Sequence, residues 1–122
     1  MNPNSWTPPD SLLEAAADDC GLIAELIDAF QTDTEIRLQR LRTALETGDA
    51  KILRAEAHTI KGSARQVGAD ALAAVCQEVE LGSGLDAAAL AALTNQLQPL
   101  FDEVSRAMTA YLTSEAARSL QA

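Results

Sequence analysis

Apolar residues return at three- and four-residue steps along most of this chain, and that rhythm constrains the fold more than any other feature. One stretch carries it at Leu22, Ile23, Leu26, Ile27, Phe30, Leu38, Leu41 and Leu45, a second at Leu72, Val75, Cys76 and Val79. A third runs through Leu90, Leu93, Leu97, Leu100, Val104, Met108 and Tyr111. At roughly 100° per residue this spacing lays an apolar stripe along a helix, whereas a half-buried strand needs strict alternation. Composition agrees: 48% of residues are hydrophobic, mostly Ala and Leu, and only 3% are aromatic. Such a core suits packed helices and lacks the β-branched and aromatic content that sheets favour. At 122 residues there is room for one domain with one core.

Polar and glycine signals punctuate the rhythm. Residues 1–9, with Pro3, Pro8 and Pro9, predict an extended lead-in, and Asp10 can cap a short helix reaching about Ala17. Asp18 or Asp19 starts a long helix, which Gly48 closes in the left-handed role. Its stripe weakens from Gln31 to Glu35, and Ile36 falls on the outer face, either as an exposed apolar contact or through a local register shift. Asp49 caps a third helix and Gly68 ends it. The fourth begins near Asp70 and breaks at Leu81-Gly82-Ser83-Gly84. Asp86 starts the last helix, expected to run through Pro99 with a kink because the rhythm resumes on both sides. Residues 113–122 read as a helix extension or a flexible tail. Short connections favour antiparallel neighbours. The expectation is therefore an all-α, antiparallel up-down-up-down four-helix bundle over residues 10–112, with a short extra N-terminal helix. The pattern assigns Trp6 no place.

The third helix carries the chemistry. Ile52, Leu53, Ile60, Ser63, Ala64 and Val67 fall within about 120° of one another and predict the buried face. His58, the single histidine, points away from that stripe, with Lys51, Arg54, Lys61, Arg65 and Gly62 on its side. Glu56 falls within the apolar arc as a misfit. An exposed neutral imidazole offers one ring nitrogen as a nucleophile toward phosphorus. Lys61, three residues on, is a surface neighbour able to meet phosphoryl oxygens, where charge must be held during transfer. Gly62 leaves out a side chain beside the ring and clears room for a partner's backbone. Arg65 and Arg54 add field more than contact, and Lys51 reads as a solvating charge.

Several function classes are disfavoured. A formal charge of −9 argues against nucleic acid, which needs clustered Lys and Arg over a broad face. No apolar run approaches a membrane span, and the polar start predicts no secretory signal. Cys20 and Cys76 lack metal or redox spacing, and Cys76 on an apolar face reads as a buried thiol of a reducing, cytoplasmic protein. There is no glycine-rich phosphate loop, no second histidine to hold zinc, no supported triad and no evident magnesium cluster. No bound cofactor is expected, and a phosphorylated His58 would need an outside donor.

The run Ala57-His58-Thr59-Ile60-Lys61-Gly62-Ser63, followed by Gly68-Ala69 and Leu72, closely resembles the histidine-containing phosphotransfer (HPt) domain of multistep two-component phosphorelays. The resemblance extends from about Leu22 to Tyr111. It implies a phosphocarrier without kinase activity of its own, whose His58 accepts a phosphoryl group from a receiver's aspartyl phosphate and passes it to another receiver. It further implies that Lys61 neutralises the phosphate, that Gly62 gives the receiver room, and that magnesium sits on the receiver. The partners implied are receiver domains and a hybrid sensor histidine kinase, with the chain a monomer; Ile36, from its outward place in the pattern, is the candidate docking contact. Many members carry Gln 22 positions after the histidine. This chain has Glu80 there, which is not expected to hydrogen-bond a phosphate. The alternative of a different class is an adaptor bundle that docks a receiver or kinase through the same surface and never carries phosphate.

Overall fold

The computed structural model describes residues 6–17 and 19–121, and of Ser83 and residues 116–121 only the backbone. Among the described residues six α-helices follow one another: α1 (Asp10–Ala15), α2 (Cys20–Thr47), α3 (Ala50–Gln66), α4 (Asp70–Glu80), α5 (Ala87–Thr94) and α6 (Leu97–Gln121). One 3₁₀ turn covers Gly82–Gly84, and there is no strand among the described residues.

Caps set the hairpins. The Asp19 carboxylate accepts from the backbone N–H groups of Gly21 and Leu22 and opens α2. Gly48 at φ 74° lets the chain reverse, and Asp49 at once caps α3 by accepting from Ile52 N–H. At the far end of α3, Gly68 takes the same left-handed conformation, and Ala69 N–H returns to Ala64 O at 2.8 Å. Cross-links show the antiparallel order. Gln98 on α6 donates to Glu35 of α2 while Gln31 donates to Ser105, so α6 descends as α2 rises. The core lies among α2, α3, α4 and α6, filled by Ile27, Leu38, Leu41, Ile60, Leu72, Cys76, Val79, Leu97 and Met108. Thr34, also buried, carries the α2 stripe across the stretch where its apolar pattern fades. No register shift occurs, and Ile36 stays outside at 46% exposure.

Four expectations change. The last helix is not one kinked rod: α5 ends at Thr94, and a new helix starts at Leu97. Pro99 is then the third residue of α6, where the first N–H groups have no intrahelical partner and a missing donor costs nothing. Ile52, assigned by angle to the buried face, is 47% exposed, because it lies in the first turn of α3 on the edge shared with α2. Leu22 is likewise exposed, in the first turn of α2. Asp10 is the first residue of α1 and not its cap, and its charge instead favours the helix's positive end. The two candidates for opening α2 also separate, since Asp19 caps it and Asp18 lies outside the described residues.

Two residues without a clear place find one. The buried Trp6 indole donates to Val67 O at 2.7 Å and meets the Tyr111 ring edge-on at 5.5 Å, tying the lead-in to α3 and α6. Glu56 sits under two arginines of α2, with Arg37 at 3.0 Å and Arg40 at 3.9 Å, so the misfit charge is paired across the seam.

Candidate functional site

Ala57, Ile60 and Ala64 are buried along α3 and fix which way the helix faces. His58 is carried outward by that geometry, its side chain 68% exposed. One turn on, Lys61 leans toward α4, where Glu80 is the final helical residue. The Glu80 carboxylate joins the two. Its Oε1 lies 2.9 Å and its Oε2 3.1 Å from His58 Nδ1, and Oε2 accepts from Lys61 Nζ at 2.8 Å.

This geometry sets the tautomer. An ionised carboxylate only accepts, so Nδ1 must carry the hydrogen. In the neutral ring the lone pair then belongs to Nε2, on the side away from Glu80. Lys61 foremost, and His58 after it, hold the Glu80 carboxyl below the usual carboxylate range, against a smaller opposing effect of burial. Glu80 is thus the ionised acceptor the tautomer argument requires. Cys76 packs beneath as core. Burial chiefly pushes its thiol up to about 12, the Glu80 charge adding and Lys61 opposing, so it stays a neutral, inert thiol.

The other predicted residues divide. Gly62 is exposed, and a Cβ built there would meet nothing within 4 Å, so the surface beside the ring is bare. Lys61 is near the ring but not free: its side chain is only 13% exposed and its ammonium is spent on Glu80. Arg65 donates to Gln77 of α4 at 2.8 Å. Arg54 and Lys51 are exposed along α3 without joining the cluster. Ile36 and Ile52 flank an open groove of about 660 Å³ between α2 and α3, lined also by Arg40, Thr43 and Glu56. Among the described residues, no three His, Cys, Asp or Glu side chains gather as metal ligands, and no helix is long and apolar enough to cross a membrane. Glu80, marked in the sequence only by its place 22 positions after His58, is brought onto the ring and onto Lys61, contacts that the residue pattern did not show.

A family model described as the Hpt domain matches residues 25–118. The chain belongs to the Hpt domain family. A solved structure agrees, the crystal structure of histidine-containing phosphotransfer protein B (HptB) from Pseudomonas aeruginosa PAO1. It superposes with a TM-score of 0.74 at 30% identity, over 88% of this chain and 95% of that one. No curated protein sequence matches significantly. This Hpt chain is therefore a histidine phosphotransfer protein of a phosphorelay, a carrier and not a kinase.

Proposed function

We propose that His58 is the phosphoacceptor and that Nε2 is the reacting atom. The Nε2 lone pair attacks the phosphorus of a receiver's aspartyl phosphate and an N–P bond forms. The P–O bond to the aspartate breaks, and its electron pair leaves on the carboxylate. Nδ1 keeps its proton on Glu80 throughout. Reversal of the same steps, with a second receiver's aspartate attacking phosphorus, returns the electron pair to Nε2 and passes the group on. Magnesium for this chemistry belongs to the receiver. Gly62 supplies the clearance through which the receiver's active-site edge reaches the ring, and Ile36, with Ile52 beside it, gives an apolar footing on the α2/α3 face. The partners are receiver domains, one of them attached to a hybrid sensor histidine kinase, and the chain works as a cytoplasmic monomer.

The observation that carries this reading is a single imidazole, its side chain 68% exposed, whose Nδ1 is held by Glu80. Incubation with a phosphorylated receiver should give acid-labile, base-stable label on the wild-type protein and none on His58→Gln. Receiver binding without any label on wild type would instead support the adaptor role.

A further inference from the structure

Leu81 is 69% exposed, more than any other large apolar residue among those described. It ends α4, directly after Glu80 and directly before the 3₁₀ turn Gly82–Gly84. A lone exposed leucine is ordinary on a protein surface. The surroundings make this one informative. Gly82 is buried, and a Cβ built there would lie 3.2 Å from Leu85 Cδ1 and 3.3 Å from Leu90 Cδ1. Those two leucines already cover the turn and leave no inward place for a third. Leu81 N–H donates to Gln77 O at 3.0 Å, so Leu81 continues the α4 face that carries Gln77. Both residues line an open groove of about 430 Å³ that also takes in Arg65 of α3 and Ala74. His58 stands on this same α4 side of α3, where its ring meets Glu80.

We infer that Leu81 is a receiver contact, an apolar anchor on the α4 side of His58 that meets an apolar side chain at the rim of the receiver's phosphoaspartate site. The inference rests on His58 being the phosphoacceptor, and it adds a second footing to that of Ile36 and Ile52 on the α2 side. Distance decides the occupant. Consecutive Cα atoms are about 3.8 Å apart, and the Glu80 side chain touches the ring, which puts Leu81 on the order of 10 Å from the imidazole. A specific interface covers about 800 Å² on each partner, a disc of about 16 Å radius. Centred on His58, such a disc takes in Leu81. A receiver that reaches the ring therefore covers this leucine, and withdraws from water a side chain that the bundle leaves wet. Because the turn already holds Leu81 outward, little ordering accompanies the contact. Footings on both sides of the ring also resist rotation of the receiver about His58 and keep phosphorus aligned with the attacking nitrogen.

Initial rates of labelling test this on the full-length protein, with a phosphorylated receiver or with phosphoramidate as donor. The variants are Leu81→Ala, Leu81→Met and Leu22→Ala, the last truncating an exposed leucine in the first turn of α2. Leu81→Ala should lower the receiver-dependent rate at least about fivefold, the size of loss that marks an anchoring contact. Leu81→Met keeps an apolar side chain of similar volume and should stay within about twofold of wild type. Leu22→Ala should leave the rate unchanged. Phosphoramidate, which needs no docking surface, should label all four proteins at the same rate. An unchanged receiver-dependent rate in Leu81→Ala overturns the inference, as does a methionine variant as slow as alanine. So does an equal loss in Leu22→Ala, or an equal loss with phosphoramidate, which would place the effect on the ring and not on docking. Absence of label on wild type, or label on His58→Gln, is a separate result that strikes the phosphoacceptor reading itself.

Discussion

Gly62 sits in the interior of α3, away from both caps, at a position where an added Cβ meets no atom within 4 Å. Glycine has no conformational reason to be there, since its φ is not in the left-handed region that Gly48 and Gly68 occupy. Replacing an exposed mid-helix glycine by alanine recovers about 1 kcal/mol of backbone entropy and propensity. For a domain of this size that corresponds to a rise of about 4 °C in Tm. On the proposed docking the same methyl group stands where a receiver approaches the ring, so Gly62→Ala should stabilise the fold and slow transfer together. Gly62→Gln keeps good helix propensity and projects further, and should remain at least as stable as wild type while losing tenfold or more of the receiver-dependent rate. Thermal melts and rapid-quench labelling by a phosphorylated receiver measure the two effects. Phosphoramidate, a small donor that needs no docking, supplies the control and should label all three proteins at similar rates. Destabilisation by alanine, or equal loss with both donors, would refute the clearance argument.

Four further perturbations follow from the packing and charges. Trp6→Ala removes a buried indole, its bond to Val67 O and its edge contact with Tyr111, and should cost about 3 kcal/mol in denaturant unfolding. Arg37→Ala leaves Glu56 with only the 3.9 Å contact to Arg40 and should cost about 1–2 kcal/mol. Asp33→Ala, which breaks the more exposed i,i+4 pair of the same arginine, should stay within about 0.5 kcal/mol by the same measurement. Because Lys61 and His58 lower the Glu80 carboxyl in the folded protein, its stabilising effect is complete above the unfolded value of about 4.3 and fades as pH falls through the lower folded value. Wild type should therefore lose more stability than Glu80→Gln between about pH 6 and pH 3, and parallel acid titrations followed by circular dichroism would show it.

The helical architecture and the outward placement of His58 were legible because they rest on periodicity. A stripe of three and four, two left-handed glycines and aspartate caps specify α2, α3 and their hairpins, and His58 lies opposite the stripe on any helical wheel. Angle alone misplaced Ile52 and Leu22, both exposed first-turn residues, Ile52 lining the open groove between α2 and α3. It failed at Pro99 because apolar rhythm alone does not separate a kinked helix from two helices in series. The family resemblance marked the position of Glu80, but its bonds to the ring and to Lys61 were not legible, for a different reason. Its role depends on a contact between helices, and periodicity within one helix carries no information about that. The signal was nonetheless available in the hairpin: residues 58 and 80 are symmetric about Ala69, the residue after the left-handed Gly68, so an antiparallel α3–α4 pair brings them level. Glu56 has the same character, a misfit on its own helix and a partnered charge once Arg37 of α2 lies across from it.

The central claim is that Glu80 holds the Nδ1 hydrogen of His58 and so leaves Nε2 to form the bond to phosphorus. A ¹⁵N–³¹P correlated spectrum of the phosphorylated protein, selectively labelled in its single histidine, locates that bond directly. The account predicts one-bond coupling from phosphorus to Nε2 and a hydrogen retained on Nδ1. Coupling to Nδ1, or phosphorus attached to any residue other than His58, would contradict it.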